Sequence, residues 1–100
     1  MTQIKFTNAA RQDLKSIFTY TVRTWGKRQA EQYSAQLKAH MLGISTSTAF
    51  NKPVQGSRNN LKQSAVGRHI VVFEQTDAQI LIVRILHASM DIPRHVSGGH

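Results

Sequence analysis

Apolar and polar residues alternate at the start of the chain in the pattern of a short strand. Residues 3–7, QIKFT, place isoleucine and phenylalanine between polar neighbours, as a half-buried strand does. Thr7 or Asn8 follows, at a position where a side-chain oxygen can cap a helix. Asp13 comes a little later, near the positive end that such a helix would have. This opening pattern predicts a strand followed directly by a helix.

Two stretches of helical periodicity come next, separated by a glycine. Their apolar positions recur every three or four residues, which predicts one core face on each of two amphipathic helices. The first face consists of Ala10, Leu14, Ile17, Phe18 and Trp25, with Thr21 between them. The second face consists of Ala30, Tyr33, Leu37, Met41 and Ile44. Because only a residue or two at Trp25 and Gly26 joins the helices, they are predicted to form an antiparallel hairpin.

The second half of the chain predicts a connection and three strands. Residues 45–60 are rich in Ser, Thr, Asn, Gly and Pro, which favour turns over helix or sheet. The predicted strands are residues 61–66, 69–76 and 80–87. The turns between them are short, so the strands are expected to be antiparallel and sequential. The forty residues after the connection are too few to fold well alone, so we expect one domain over residues 1–96, with residues 97–100 as a flexible tail or tag remnant.

The last two strands are apolar on both faces. In residues 69–76, Ile70 and Val72 face one way, whereas Val71 and Phe73 face the other. In the last strand, strict alternation places Ile80, Ile82, Arg84 and Leu86 on one face and Leu81, Val83, Ile85 and His87 on the opposite face. A layer of two helices covers one face only. The other face is expected to be covered by the connection, the C-terminal tail or a partner protein.

The charge balance predicts an anionic partner. The 100 residues contain 13 Lys and Arg against 5 Asp and Glu, a net charge of +8 spread along the chain. This excess favours nucleic acid, an acidic protein or an acidic membrane surface, although like charge also keeps a protein soluble. The absence of cysteine excludes disulfides and thiol catalysis. No apolar run reaches the roughly 18 residues of a membrane span and no secretory signal is visible, so a cytoplasmic protein is expected.

The C-terminal stretch RILHASMDIPRHV contains a dense group of ionisable residues. His87, Asp91 and His95 follow one another at intervals of four, which would align three metal ligands on a helix. Pro93 disfavours that helix, so no metal site and no cofactor are expected.

Arg84 and His87 form the other candidate site in this stretch. They could serve as the phosphate clamp and the general acid or base of a ribonuclease. Three positions apart on one strand, they are expected to leave opposite faces of the sheet unless the strand ends or bulges between them. The alternative is structural: Arg84 forms an ion pair, with Glu74 on the neighbouring strand as the candidate partner, and His87 and Asp91 fix the tail by hydrogen bonds.

The order of elements predicts an α+β fold, β-α-α-β-β-β, with the helical hairpin on one face of a small, mainly antiparallel sheet. Within that order, one set of residues has the spacing of a known family. Its members are Ala10, Asp13-Leu14, Tyr20-Thr21, Trp25-Gly26, Gln29-Ala30, Tyr33, Pro53, Gly56, Gly67, His69-Ile70, Arg84-Ile85-Leu86-His87, Met90-Asp91 and Arg94-His95. From Thr7 to Val96 the chain resembles the ParE toxins of bacterial type II toxin–antitoxin modules, within the RelE/ParE superfamily.

The resemblance implies a gyrase poison. ParE-like toxins inhibit DNA gyrase by trapping it with cleaved DNA, and they need no catalytic chemistry, cofactor or small-molecule substrate of their own. They act in the bacterial cytoplasm and are neutralised by an acidic ParD-type antitoxin, which has a DNA-binding N-terminal part and a tail that wraps the toxin. RelE-like messenger RNA endonucleases share the fold, so a ribosome-dependent ribonuclease and a binding module without target activity stay open as alternatives.

The resemblance also implies two interaction surfaces. The candidates for contact with gyrase lie at the end of the last strand and in the tail, and they are Arg84, His87, Met90, Asp91, Arg94 and His95. The candidates for contact with the antitoxin lie at apolar positions of the helices and the sheet, and they are Ile17, Trp25, Tyr33, Leu81 and Val83.

Overall fold

Two helices and five strands make up the described part of the chain. The structure is a computed structural model, and it describes residues 3–45, 52–54, 61–76 and 78–89. The elements are β1 (Gln3–Phe6), α1 (Asn8–Trp25), α2 (Lys27–Ser45), β2 (Lys52–Pro53), β3 (Lys62–Val66), β4 (His69–Gln75) and β5 (Gln79–His87). The predicted tail and four candidate residues lie outside the described part, namely Met90, Asp91, Arg94 and His95.

Thr7 both starts α1 and attaches it to the sheet. Its side-chain oxygen accepts a hydrogen bond from the Ala10 N–H at 3.0 Å, as a helix cap does. The same hydroxyl donates to the Val83 carbonyl of β5 at 2.7 Å. The Thr7 N–H donates to the Ile82 carbonyl at 3.0 Å, which extends the contact between β1 and β5. The predicted cap at Thr7 is confirmed, and it also fixes the start of α1 against β5.

We expect Thr7→Val to lower the free energy of unfolding by about 1–2 kcal/mol, because the variant keeps the side-chain volume but loses the cap and the donor to β5. Urea denaturation followed by circular dichroism measures this difference. Thr24→Val changes an exposed position of the same helix, and this control is expected to shift stability by less than about 0.5 kcal/mol. Equal stability of the two variants would contradict the role assigned to Thr7.

The predicted helical faces are confirmed except at two aromatic residues. The predicted face positions that are buried or half-buried are Ala10, Leu14, Ile17 and Thr21 in α1 and Ala30, Tyr33, Leu37, Met41 and Ile44 in α2. Phe18 and Trp25, predicted to face the core, are 40% and 59% exposed. Both lie roughly 50–70° around α1 from the centre of its buried face, so they border the core and do not enter it.

The five strands form one sheet in the order β1-β5-β4-β3-β2. β1 pairs with β5 in parallel, and the other neighbouring strands are antiparallel. Residues 45–60 are predicted to form a connection only, and this is wrong at Lys52–Pro53, which pairs with Lys62 and Gln63 of β3. A strand of two residues shows no alternation, and its proline is tolerated because the strand lies at the sheet edge.

A β-bulge interrupts the pairing of β4 with β5. Phe73 pairs with Ile82, but the next residue of β4 in the ladder, Val72, pairs with Arg84. Val83 is therefore an extra residue in β5, and the strand bends at this point.

Beyond the bulge, strict alternation fails. Leu86 is predicted to share a face with Ile82, yet Ile85 takes that place in the core under the helices. Leu86 instead joins Val83 on the far face of the sheet. The predicted faces of Ile85 and Leu86 are wrong because the extra residue shifts the alternation by one position.

Val54, in the predicted connection, and Leu61, directly after it, cover the far face of the sheet at the Val72, Val83 and Leu86 cluster. Val54 and Leu61, which are 4% and 1% exposed, pack against side chains of β4 and β5. Of the three covers predicted, the connection provides this one. Val83, a candidate for contact with the antitoxin, is fully buried in this cluster, and Leu81 packs against it half-buried. Val83 therefore presents no surface to a partner.

Candidate functional site

A groove of about 700 Å³ opens between the helical hairpin and the ends of β4 and β5. We call it the hairpin groove, and its lining is Ser16, Ile17, Tyr20, Thr21, Trp25, Gln29, Tyr33, Gln36, Gly67, Arg68, His69, His87 and Ser89. Three antitoxin candidates, Ile17, Trp25 and Tyr33, lie in it. The gyrase candidate His87 lies there too, whereas Arg84 does not line it. The fold thus brings together residues that the sequence assigns to two separate surfaces.

Tyr33 connects α2 to the turn between β3 and β4. Gly67 has φ +56°, and a Cβ atom there would lie 2.7 Å from the Tyr33 ring. The Arg68 N–H donates to the Tyr33 hydroxyl at 3.2 Å, and this hydroxyl lies 2.6 Å from His69 Nδ1. The hydroxyl has one proton and two acceptors within reach, His69 Nδ1 and the Val66 carbonyl at 3.3 Å, and we assign the proton to the shorter contact, with a neutral His69 ring. Burial raises the pKa of Tyr33, against the opposing effects of the Arg68 N–H and charge.

His69 and His87 are cross-strand neighbours in the hairpin groove. Their ring centroids are 5.5 Å apart and their planes meet at 83°. His87 Nδ1 accepts from the Ser89 N–H at 3.2 Å, with Ser89 Oγ at 2.7 Å. Burial lowers the pKa of His69 and the nearby His87 lowers it further, while Asp13 opposes the shift. Because rings in edge contact leave no room for a phosphate between them, the pair cannot act from opposite sides of one scissile bond.

Arg84 is held by an acidic residue of α1. Its Nε and Nη2 atoms donate to the two carboxylate oxygens of Asp13 at 2.7 and 3.0 Å, and the Ile85 N–H donates to the same carboxylate at 2.9 Å. Hydrogen bonding to Asp13 raises the pKa of Arg84. The predicted ion pair is present, but the candidate partner Glu74 is wrong, because Arg84 pairs with Asp13 of α1.

The hairpin groove is aromatic and cationic. The Arg68 guanidinium carbon lies 5.8 Å from the centroid of the Trp25 ring, the distance of a cation–π contact. Trp25 and Tyr20 are 59% and 62% exposed, so two large aromatic side chains face solvent here. No Asp or Glu occurs among the described residues that line the groove. The site therefore offers apolar and positively charged contacts to a partner.

The described residues contain no group of three His, Asp or Glu side chains placed to hold a metal ion. Two members of the predicted triad, Asp91 and His95, lie outside the part of the chain that the structure describes. Of the two described helices, neither is long and apolar enough to cross a membrane.

Two part-buried histidines are expected to make the protein less stable in acid. Burial lowers the pKa of His40, whose Nε2 lies 2.7 Å from the Ser64 hydroxyl, and it lowers the pKa of His69 in the groove. An unfolded imidazole binds its proton near the ordinary value of 6.5, above the lowered folded values. Stability is therefore full above about pH 6.5 and is lost as the pH falls below it.

The urea midpoint is accordingly expected to fall between about pH 7.5 and about pH 5.5. His40→Gln and His69→Gln should each remove part of this change, because glutamine hydrogen-bonds without titrating. If the double variant kept the full pH dependence, the two histidines would not be its source.

A helical hairpin on one face of a mainly antiparallel sheet is the architecture of the RelE/ParE superfamily of toxins. Two solved structures show this architecture. The chromosomal ParDE toxin–antitoxin system of P. aeruginosa superposes on this chain with a TM-score of 0.70 at 17% identity, over 87% of this chain and 96% of that chain. The E. coli DinJ–YafQ complex matches with a TM-score of 0.61 at 16% identity over 87% of this chain and 93% of that chain. The predicted α+β fold is confirmed.

Sequence similarity identifies the family within this fold. Residues 4–92 match the family described as the ParE toxin of the type II toxin–antitoxin system parDE. Toxin ParE1 of Caulobacter vibrioides is 31% identical over 96 residues, which cover 96% of this chain and 99% of that protein. Toxin ParE1 of Mycobacterium tuberculosis is 28% identical over 89 residues, covering 88% and 91%. The chain belongs to the ParE toxin family. It is the toxin of a type II toxin–antitoxin system.

Proposed function

We propose that this toxin inhibits DNA gyrase in the bacterial cytoplasm, trapping the enzyme with cleaved DNA, and that a ParD-type antitoxin neutralises it. The observation that carries the proposal is the match to the ParE family over residues 4–92. Two relatives named Toxin ParE1 are 31% and 28% identical to this chain, and they align with it over 99% and 91% of their own length. One domain over residues 1–96, followed by a short tail, is the unit to which we assign this activity.

We further propose that the toxin has no catalytic activity of its own. A ribonuclease built on Arg84 and His87 would need the arginine free to hold a phosphate. Arg84 instead binds Asp13 through two nitrogens, and its side chain is 27% exposed. His87 and its neighbour His69 are in edge contact. This arrangement favours a binding role over general acid–base chemistry.

We assign the hairpin groove to the antitoxin. Its exposed Trp25 and half-buried Ile17 and Tyr33 supply the apolar contacts that a folding segment needs. Leu81, half-buried on the far face, lies apart from this groove.

The gyrase surface is proposed at the end of β5. His87 is exposed there, and the chain continues into Met90, Asp91, Arg94 and His95, which remain candidates. Arg84 acts here as a positioning residue, because its pair with Asp13 fixes β5 just before the strand ends.

The proposal is tested by incubating this toxin with purified gyrase, relaxed plasmid and ATP. A parallel reaction contains the toxin with ribosomes and messenger RNA. Loss of supercoiling with intact RNA is the expected result, and pre-mixing with the antitoxin should restore supercoiling. Cut RNA with normal supercoiling would assign the toxin to the ribonuclease class, and His87→Gln would then test its catalytic residue. A chain inactive in both reactions would be a binding module.

A further inference from the structure

Arg68 is a cation in the hairpin groove to which the proposed function assigns no role. Its carbonyl accepts from the Ala88 N–H at 2.9 Å, which places it beside the end of β5. Its exposed guanidinium group lies 5.8 Å from the Trp25 ring, measured from the guanidinium carbon. His87 lines the same groove. A permanent cation and an imidazole ring therefore share one groove with an exposed aromatic ring.

We propose that Arg68 and His87 form a carboxylate subsite of the hairpin groove, in which an Asp or Glu side chain of the antitoxin binds beside Trp25. The inference rests on the proposed function, in which an antitoxin occupies this groove. A guanidinium group binds a carboxylate through paired N–H donors, and the neighbouring aromatic ring packs against the apolar part of the same segment. Among the described lining residues no carboxylate competes for Arg68.

A peptide suits this groove better than a nucleic acid does. Nucleic-acid sites present several Lys or Arg side chains along a phosphate backbone. The described lining of the groove includes one arginine, and most of its other side chains are aromatic, hydroxyl or amide groups. Gln29 and Gln36 can both donate and accept, which matches the peptide groups of a bound segment. The net charge of +8 favours the approach of an acidic segment.

His87 Nδ1 accepts from the Ser89 N–H at 3.2 Å, so the Nε2–H of the ring is the donor that it can offer to a carboxylate.

Isothermal titration calorimetry of the toxin with a purified ParD-type antitoxin tests the subsite. Arg68→Gln is expected to weaken binding about tenfold. Arg11→Gln removes the same charge at an exposed position outside the groove, and it is expected to weaken binding less than about twofold at physiological salt. Thermal unfolding of each variant verifies that it is folded.

The outcomes distinguish failure of the carboxylate subsite from failure of the antitoxin assignment on which it rests. Tight binding that Arg68→Gln leaves unchanged would overturn the subsite and leave the antitoxin pairing standing. No binding by the unaltered toxin would overturn the antitoxin assignment and the subsite together. If Arg68→Gln weakened binding to a short DNA duplex but not to the antitoxin, the groove would belong to nucleic acid.

Discussion

Asp13→Asn is expected to lower the free energy of unfolding by about 3 kcal/mol, because it leaves a partly buried guanidinium group without its counter-charge. The carboxylate accepts two hydrogen bonds from Arg84 and one from the Ile85 N–H. The side chains of Asp13 and Arg84 are 15% and 27% exposed, so water screens the pair only in part. An asparagine there would also turn an amide N–H₂ toward the donors of Arg84.

Equilibrium urea unfolding measures this loss, with Glu31→Gln as the matched control. Glu31 lies 4.0 Å from Lys27 on the surface of α2, with side chains 61% and 80% exposed, and its charge removal is expected to cost less than about 0.5 kcal/mol. Asp13→Asn and Glu31→Gln are both changes of carboxylate to amide. If both variants were equally stable, the Asp13–Arg84 pair would not hold α1 against β5.

Gly67→Ala is expected to lower the free energy of unfolding by about 2–3 kcal/mol, for two separable reasons. At φ +56° an alanine is strained by about 1 kcal/mol. Its Cβ would also lie 2.7 Å from Tyr33 Cε1 and 2.8 Å from the hydroxyl oxygen, so the ring that lines the groove must move. Because Tyr33 is hydrogen-bonded to His69 and the Arg68 N–H, that movement also breaks two hydrogen bonds.

Two further variants separate strain from collision. Gly67→Asn tolerates the positive φ but keeps the Cβ contact, so it should remain destabilised. In a Tyr33→Ala background the collision is absent, and Gly67→Ala should then cost only about 1 kcal/mol more. A full cost of Gly67→Ala in that background would show that Tyr33 is not the obstacle.

Sequence pattern predicts the helices, the order of the main elements and the turns at Gly26 and Gly67, because each depends on local chemistry. The cap at Thr7 needs one hydroxyl, and the hairpin needs a residue that tolerates φ +96° at Gly26. The main strands are recognisable because both faces of the sheet are covered, so apolar side chains run through the last two strands. β2 is invisible because two residues show no period.

The candidate site is harder to predict because it depends on long-range geometry. Nothing in the local pattern of β5 indicates an extra residue at Val83, so alternation gives the wrong faces for Ile85 and Leu86. The partner of Arg84, Asp13, lies 71 residues away in the chain. The contact between His69 and His87 depends on strand register. Trp25 is predicted in the core but lies outside it, because periodicity gives an angle around the helix but not the edge of the covered face.

Gyrase poisoning is measured as the amount of linear plasmid DNA that detergent and protease release from gyrase incubated with the toxin. Such DNA marks enzyme trapped in the act of cleavage. We predict that it increases with toxin concentration and returns to the level of gyrase alone when the antitoxin is added first. Unchanged linear DNA at toxin concentrations that arrest bacterial growth would contradict the assignment of this ParE family member as a gyrase poison.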